Sequence, residues 1–294
     1  MRWTFFIVDV FAEEKYAGNQ LGVFRRAKGL SDTQMQKIAK EMNYSETTFI
    51  LFDEEKEGGF DVRIFTPKEE LPFAGHPTLG TAFVIQQEIL KEPVKELKLN
   101  LKVGQIPVTF HYKKGTPDIL WMKQKPPVFG QTIEREVMAQ ALSLEANALD
   151  DRFPVQEVST GIPFFIVPLK SLEYLKKAKV SFEKFISLVE NTKGKSPLIF
   201  CPESYHVEND LSVRVFADYY GVPEDPATGS ANGCLAGYLV KHRYFAENRI
   251  DIRVEQGYEI GRPSLLYLKA LEKEEEIDVF VGGKSVMVAK GEFV

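Results

Sequence analysis

The chain has 294 residues, 44% of them hydrophobic, and its 42 acidic and 37 basic side chains give a formal net charge of -5. That length suits roughly two domains of about 150 residues, each able to bury a core. The mild acidity argues against nucleic-acid binding, which calls for a basic face, and no apolar run reaches the ~18 residues of a membrane span. The N-terminal residues 1–9 are apolar but too short for a secretory signal. Cys201 and Cys234 are too few for a disulfide framework and read as reduced and buried, so the expected compartment is the cytoplasm.

Strand-like runs rich in Val, Ile, Phe and Tyr lead the chain. They fall at 5–11, 48–52, 61–65, 97–101 and 106–111, then at 155–160, 163–169, 198–201, 211–216, 250–254, 264–269 and 286–289. Helices interrupt them. Ser31 and Gln34 have capping-box spacing, and Met35, Ile38, Ala39 and Met42 follow at helical spacing. Further helices are expected over 77–88, 133–142, 182–189 and 227–242, and the acidic run 272–276 reads as a solvated turn.

The chain carries an internal repeat. Val62-Arg63-Ile64-Phe65 resembles Val213-Arg214-Val215-Phe216, and each is followed by a small-residue turn that opens a helix. Gly75 aligns with Gly229 and Ala82 with Ala236 at an offset of 154, whereas the strands align at 151, so the second loop is longer by three residues. This implies two similar domains facing each other across a cleft, a preferred place for small-molecule sites. The boundary is expected near residue 115, giving 1–115 and 116–279, with the C-terminal strand in 280–294 returning to the first domain.

Both glycine turns stand at helix N-termini, where unpaired N–H groups and the helix dipole favour anions; tight turns into close-packed helices are the plainer reading. Three ionisable residues lie near them. His76 follows Gly75, and a positive helix end favours its neutral form. Asp225 precedes the second turn and would also serve as an N-cap. Glu46, between the first helix and an apolar strand, is either an exposed loop carboxylate or, if desolvated, a general base and acid. Tyr44, Phe73 and Tyr219 are near these motifs and are candidates for the pocket wall. Gly283-Lys284-Ser285 and Gly194-Lys195-Ser196 lack the upstream glycine of a P-loop. There is no G-x-G-x-x-G or G-x-S-x-G, and the four histidines have no metal-ligand spacing.

Several motifs together resemble the PhzF-like phenazine-biosynthesis isomerase family over essentially the whole chain. They are Asp9-Val10-Phe11 with Gly18-Asn19, the run 43–49, Gly75-His76-Pro77-Thr78-Leu79-Gly80, Ser159-Thr160-Gly161-Ile162-Pro163-Phe164, the run 224–231 and Val281-Gly282-Gly283. The resemblance implies an α+β, diaminopimelate-epimerase-like fold: two pseudo-symmetric domains, each a barrel-like, mostly antiparallel sheet around a central helix. It further implies a homodimeric, cofactor-independent isomerase without a metal, moving a proton on a small amino or dihydroaromatic carboxylic acid. Glu46, His76 and Asp225 match the family's catalytic residues, and Gly75, Gly229 and Ser230 its substrate-binding ones. Ala74 and Thr228 stand where racemases of this fold carry two cysteines, which points to one-carboxylate rather than two-thiol chemistry. The alternative is a non-catalytic member that binds a metabolite or partner; a hydrolase or lyase using the same pocket is a further one.

Overall fold

The computed structural model describes residues 2–190 and 192–294, the side chain of Tyr220 excepted. The chain divides into two compact units, Met1–Met122 with Gly282–Val294, and Lys123–Val281. The first contains strands β1 (Trp3–Val10), β2 (Asn19–Phe24), β3 (Glu46–Ile50), β4 (Phe60–Phe65), β5 (Glu70–Leu71), β6 (Glu96–Leu101), β7 (Gly104–Lys113) and β8 (Thr116–Lys123). Its helices are α1 (Asp32–Met42) and α2 (Gly75–Val84). The second contains β9 (Val128–Ile133), β10 (Val155–Ser159), β11 (Pro163–Pro168), β12 (Pro197–Cys201), β13 (Leu211–Ala217), β14 (Val222–Asp225), β15 (Arg249–Gln256), β16 (Ser264–Glu272) and β17 (Ile277–Gly283). Its helices are α3 (Arg135–Ala141), α4 (Leu172–Lys177), α5 (Phe182–Val189) and α6 (Gly229–Lys241), and β18 (Ser285–Phe293) rejoins the first unit by pairing with β1.

Hydrogen bonding extends the internal repeat to whole topologies. The first unit runs β18-β1-β2-β3-β4-β6-β7-β8, parallel only at β2–β3 and β4–β6. The second runs β9-β10-β11-β12-β13-β15-β16, parallel only at β11–β12 and β13–β15. A short strand lies against the same place in each, β5 on β4 and β14 on β13. The repeated arginines make the same clamp. Arg63 donates to Glu70 at 2.8 and 2.7 Å, and Arg214 to Glu224 at 3.0 and 2.8 Å. The three additional residues of the second loop are absorbed between arginine and glutamate.

Each sheet wraps a central helix. All ten residues of α2 are buried, packed against β1, β2, β3, β6, β7 and β18. Helix α6 is buried over most of its length against β10, β11, β12, β15 and β16. A helix covered on every side has no polar stripe, and close packing demands small residues. A Cβ on Gly80 would stand 2.6 Å from Leu21 and 2.7 Å from Val10.

Local signals explain much of the rest. Ser31 and Gln34 form the capping box at α1, and Asn43 ends that helix in the left-handed region at φ 53°. The helix expected from 77 begins at Gly75 and, after Val84, continues as a wider π-type turn over Ile85–Leu90. The acidic run is a turn between β16 and β17, closed by Lys273 N–H on the Glu276 carbonyl at 2.7 Å. Strands β2, β5, β8, β9, β14 and β17 and helix α4 go beyond the elements expected from periodicity.

Candidate active site

Glu46 is the first residue of β3, and its neighbours in sequence show why it stands there. Thr47, Thr48, Phe49 and Ile50 are buried strand formers, and the chain enters them from the α1 cap at Asn43. His76 is the second residue of α2, after the N-cap Ala74 and Gly75. Strands β3, β4 and β5 carry the chain from one to the other. His76 Nε2 lies 3.4 Å from Glu46 Oε2, with side chains 6% and 16% exposed. So buried a pair lies outside the reading of Glu46 as an exposed loop carboxylate.

Burial pushes the His76 imidazole down from 6.5 to about 3, against a hydrogen bond to the backbone of Gln20 that pulls it upward. A bond that favours the imidazolium is one the ring donates. Nε2 makes no hydrogen bond, so the donor is Nδ1. His76 is therefore neutral, protonated at Nδ1, with the Nε2 lone pair towards Glu46. Ion-pair geometry at 3.4 Å would favour the imidazolium; the cost of a charge at so buried a ring outweighs it.

In the second unit, Asp225 ends β14, and Gly229 and Ser230 are the first two residues of α6. The N-cap is Thr228, not Asp225; Asp225 instead accepts the Thr228 hydroxyl proton at Oδ2. Ser230 occupies in α6 the position of His76 in α2. The structure thus groups Glu46 with His76 and Gly75 in one unit, and Asp225 with Gly229 and Ser230 in the other, each set at the N-terminus of a central helix. Sequence reading missed Gln256, whose buried amide bonds the backbone of Asp225 and Thr228; it lies in no motif, and only the fold brings it there.

Of the pocket-wall candidates, Tyr44 and Phe73 are partly buried and Tyr219 is 46% exposed. Two surface hollows of about 600 and 450 Å³ in the second unit are lined by other residues, Arg249 and Leu271 in one and Arg214 and Asp218 in the other. Cys201 and Cys234 are unbridged and buried, and burial pushes both thiols up to about 12. Among the described residues no group of three or more His, Cys, Asp or Glu could hold a metal ion, and no helix is long and apolar enough to cross a membrane.

Two topologically equivalent arrangements of strands, each around a buried helix, give the chain a diaminopimelate-epimerase-like fold. A solved probable proline racemase from Agrobacterium radiobacter K84 shares this fold, with a TM-score of 0.65 at 8% identity over 99% of this chain and 93% of its own. The family model described as phenazine biosynthesis-like protein (PhzC-PhzF) matches residues 8–291, and the chain belongs to that family. Trans-2,3-dihydro-3-hydroxyanthranilate isomerase from Pseudomonas aeruginosa is 34% identical over 97% of this chain and 97% of its own length. A PhzF-family phenazine biosynthesis protein from Bacillus anthracis superimposes with a TM-score of 0.92 at 28% identity, covering 100% of this chain and 99% of its own. The chain is an isomerase of this family.

Proposed function

We propose that the chain is a cytoplasmic, homodimeric isomerase that shifts a proton on a small amino or dihydroaromatic carboxylic acid without a cofactor. The observation that carries this reading is the pairing of partly buried Glu46, at the start of β3, with buried His76, at the start of α2.

Glu46 takes a proton from an activated carbon and returns it at another. Its Oε2 faces the Nε2 lone pair of a neutral histidine, so a proton gained by the carboxyl has an acceptor 3.4 Å away. His76 thereby holds the protonated carboxyl in place as a hydrogen-bond acceptor, while the proton stays with Glu46. The N–H groups at the start of α6, at Gly229 and Ser230, receive the substrate carboxylate, and Gly75 presents the equivalent N–H groups of α2. Asp225 holds the substrate's amino or hydroxyl group. Correct placement of acid and base contributes several kcal/mol to barrier lowering. The racemase thiol positions, Ala74 and Thr228, are the N-caps of α2 and α6. Cys234 lies farther along α6 with its thiol held protonated by burial, which supports carboxylate over thiol chemistry.

The test is proton NMR in D₂O on a panel of small amino and dihydroaromatic acids that includes trans-2,3-dihydro-3-hydroxyanthranilate. Loss or migration of a C–H signal with the unaltered chain, slowed at least ~10²-fold in Glu46→Gln, supports the assignment. Full activity in Glu46→Gln sinks it, and binding without exchange across the panel turns the reading to a metabolite-binding protein.

A further inference from the structure

The two central helices begin alike, but the residues around their first turns differ as a block. Offset 154 matches Leu71, Ala74 and Thr78 with Asp225, Thr228 and Asn232. Strand pairing completes the set. Phe60 pairs with Leu99 in the first unit and Leu211 with Val254 in the second; two residues on, Leu101 matches Gln256. A largely apolar group in one unit is thus a polar network in the other.

Gln256 is 1% exposed and uses both ends of its amide. Its Oε1 accepts from Thr228 N–H at 3.2 Å and Asn232 Nδ2 at 2.9 Å. Its Nε2 donates to the Asp225 carbonyl at 2.8 Å and to Thr228 Oγ1 at 3.1 Å. A backbone N–H only donates, so the atom facing Thr228 N must be the oxygen, and the amide has one orientation. That orientation makes the Thr228 hydroxyl an acceptor from Gln256. Its single proton is then given to Asp225 Oδ2, which it contacts. The chain of bonds runs one way, from Gln256 through Thr228 to Asp225. Gly257 seals the arrangement: at φ +80° its Cβ position lies 2.7 Å from the Pro226 carbonyl, so only glycine lets this turn lie against the loop.

We propose that Gln256 is a positioning residue of the isomerase site, acting through Thr228 to hold Asp225 Oδ2 as a permanent acceptor, so that any proton Asp225 carries sits on Oδ1. This rests on the reading of Asp225 as a substrate-holding residue. Its consequence is a carboxylate of fixed rotation that meets a substrate amino or hydroxyl group through one defined oxygen. The first unit, with Leu71, Ala74 and Leu101 at these places, lacks such a device.

The test compares the unaltered chain with Thr228→Ser, Thr228→Val, Gln256→Leu and Asp225→Ala. NMR hydrogen exchange reads the network without substrate. Both Gln256 side-chain protons exchange slowly in the unaltered chain and in Thr228→Ser; in Thr228→Val one of them exchanges about tenfold faster or more. Turnover is read on trans-2,3-dihydro-3-hydroxyanthranilate. Thr228→Val and Gln256→Leu lower kcat about tenfold or more with KM changed much less, and Thr228→Ser restores most of it. Leucine occupies the equivalent place in the first unit, so it suits the fold, and the two Thr228 variants decide the matter if Gln256→Leu does not fold. Unchanged protection in Thr228→Val, or full kcat in both Thr228→Val and Gln256→Leu while Asp225→Ala loses it, overturns the relay and leaves the isomerase reading standing. Full kcat in Asp225→Ala overturns both.

Discussion

A histidine held neutral by burial makes stability depend on pH in a definite direction. The His76 ring titrates near 3 in the folded chain and near 6.5 unfolded. Between those values the unfolded chain binds a proton that the folded chain does not. Stability from this group is therefore complete above about pH 6.5 and falls as pH drops towards 3, by at most about 1.4 kcal/mol per pH unit. Urea unfolding at pH 7 and pH 5 should show a smaller loss of stability in His76→Gln than in the unaltered chain, by about 1–2 kcal/mol. Equal losses in both would mean that His76 is protonated in the folded state, and that the pair with Glu46 is an ion pair rather than a carboxyl facing a lone pair.

At the scale of elements, the buried helices set the tolerance of the fold. Alanine is the better helix former, so Gly80→Ala would stabilise an exposed helix by about 1 kcal/mol. In α2 the added methyl meets fully buried Leu21 and Val10 at 2.6 and 2.7 Å. Overpacking of that kind costs about 1–3 kcal/mol, so Gly80→Ala should lower the urea midpoint; a raised midpoint would show that the core has room. The same crowding decides what the sequence reveals. Small-residue helices carry no amphipathic stripe, and α2 and α6 were legible only through their glycine turns and their repetition. Strand β2 was hidden by Gly22, which lies close under the Met42 methyl of α1, 3.0 Å from where a Cβ would stand; a glycine inside a strand reads as a break. The capping box of α1 was legible because both partners lie within one turn. The proximity of Glu46 and His76 was not, since 30 residues and three strands separate them. Gln256 was illegible for the same reason: its partners are 24 to 31 residues away.

Across the whole molecule, equal topologies carry unequal chemistry. The pairing register of β3 with β4 and of β12 with β13 matches Glu46 with Ser196, just before β12, and the helix offset matches His76 with Ser230. The second unit has two hydroxyls where the first has a carboxyl and an imidazole. A hydroxyl is a poor base at neutral pH, so at these matched places only the first unit offers one, and the second unit's carboxylate, Asp225, is instead tied to the Thr228 hydroxyl and assigned to holding the substrate. The proposed mechanism thus asks a single carboxyl to take the proton and to return it. This yields a prediction that separates it from two-base isomerisation. In a two-base enzyme, removing one base stops interconversion but leaves hydrogen exchange with solvent from the compound facing the surviving base. With one base, exchange is lost from both compounds together. Glu46→Gln should therefore abolish solvent exchange starting from substrate and from product alike, at least ~10²-fold in each direction. Ser196→Ala, which removes a buried hydroxyl at the equivalent place, should change either rate less than about threefold, in keeping with a group outside the proton path. Exchange surviving in one direction only in Glu46→Gln would reveal a second base, and its pH dependence would then be the means of finding which residue supplies it.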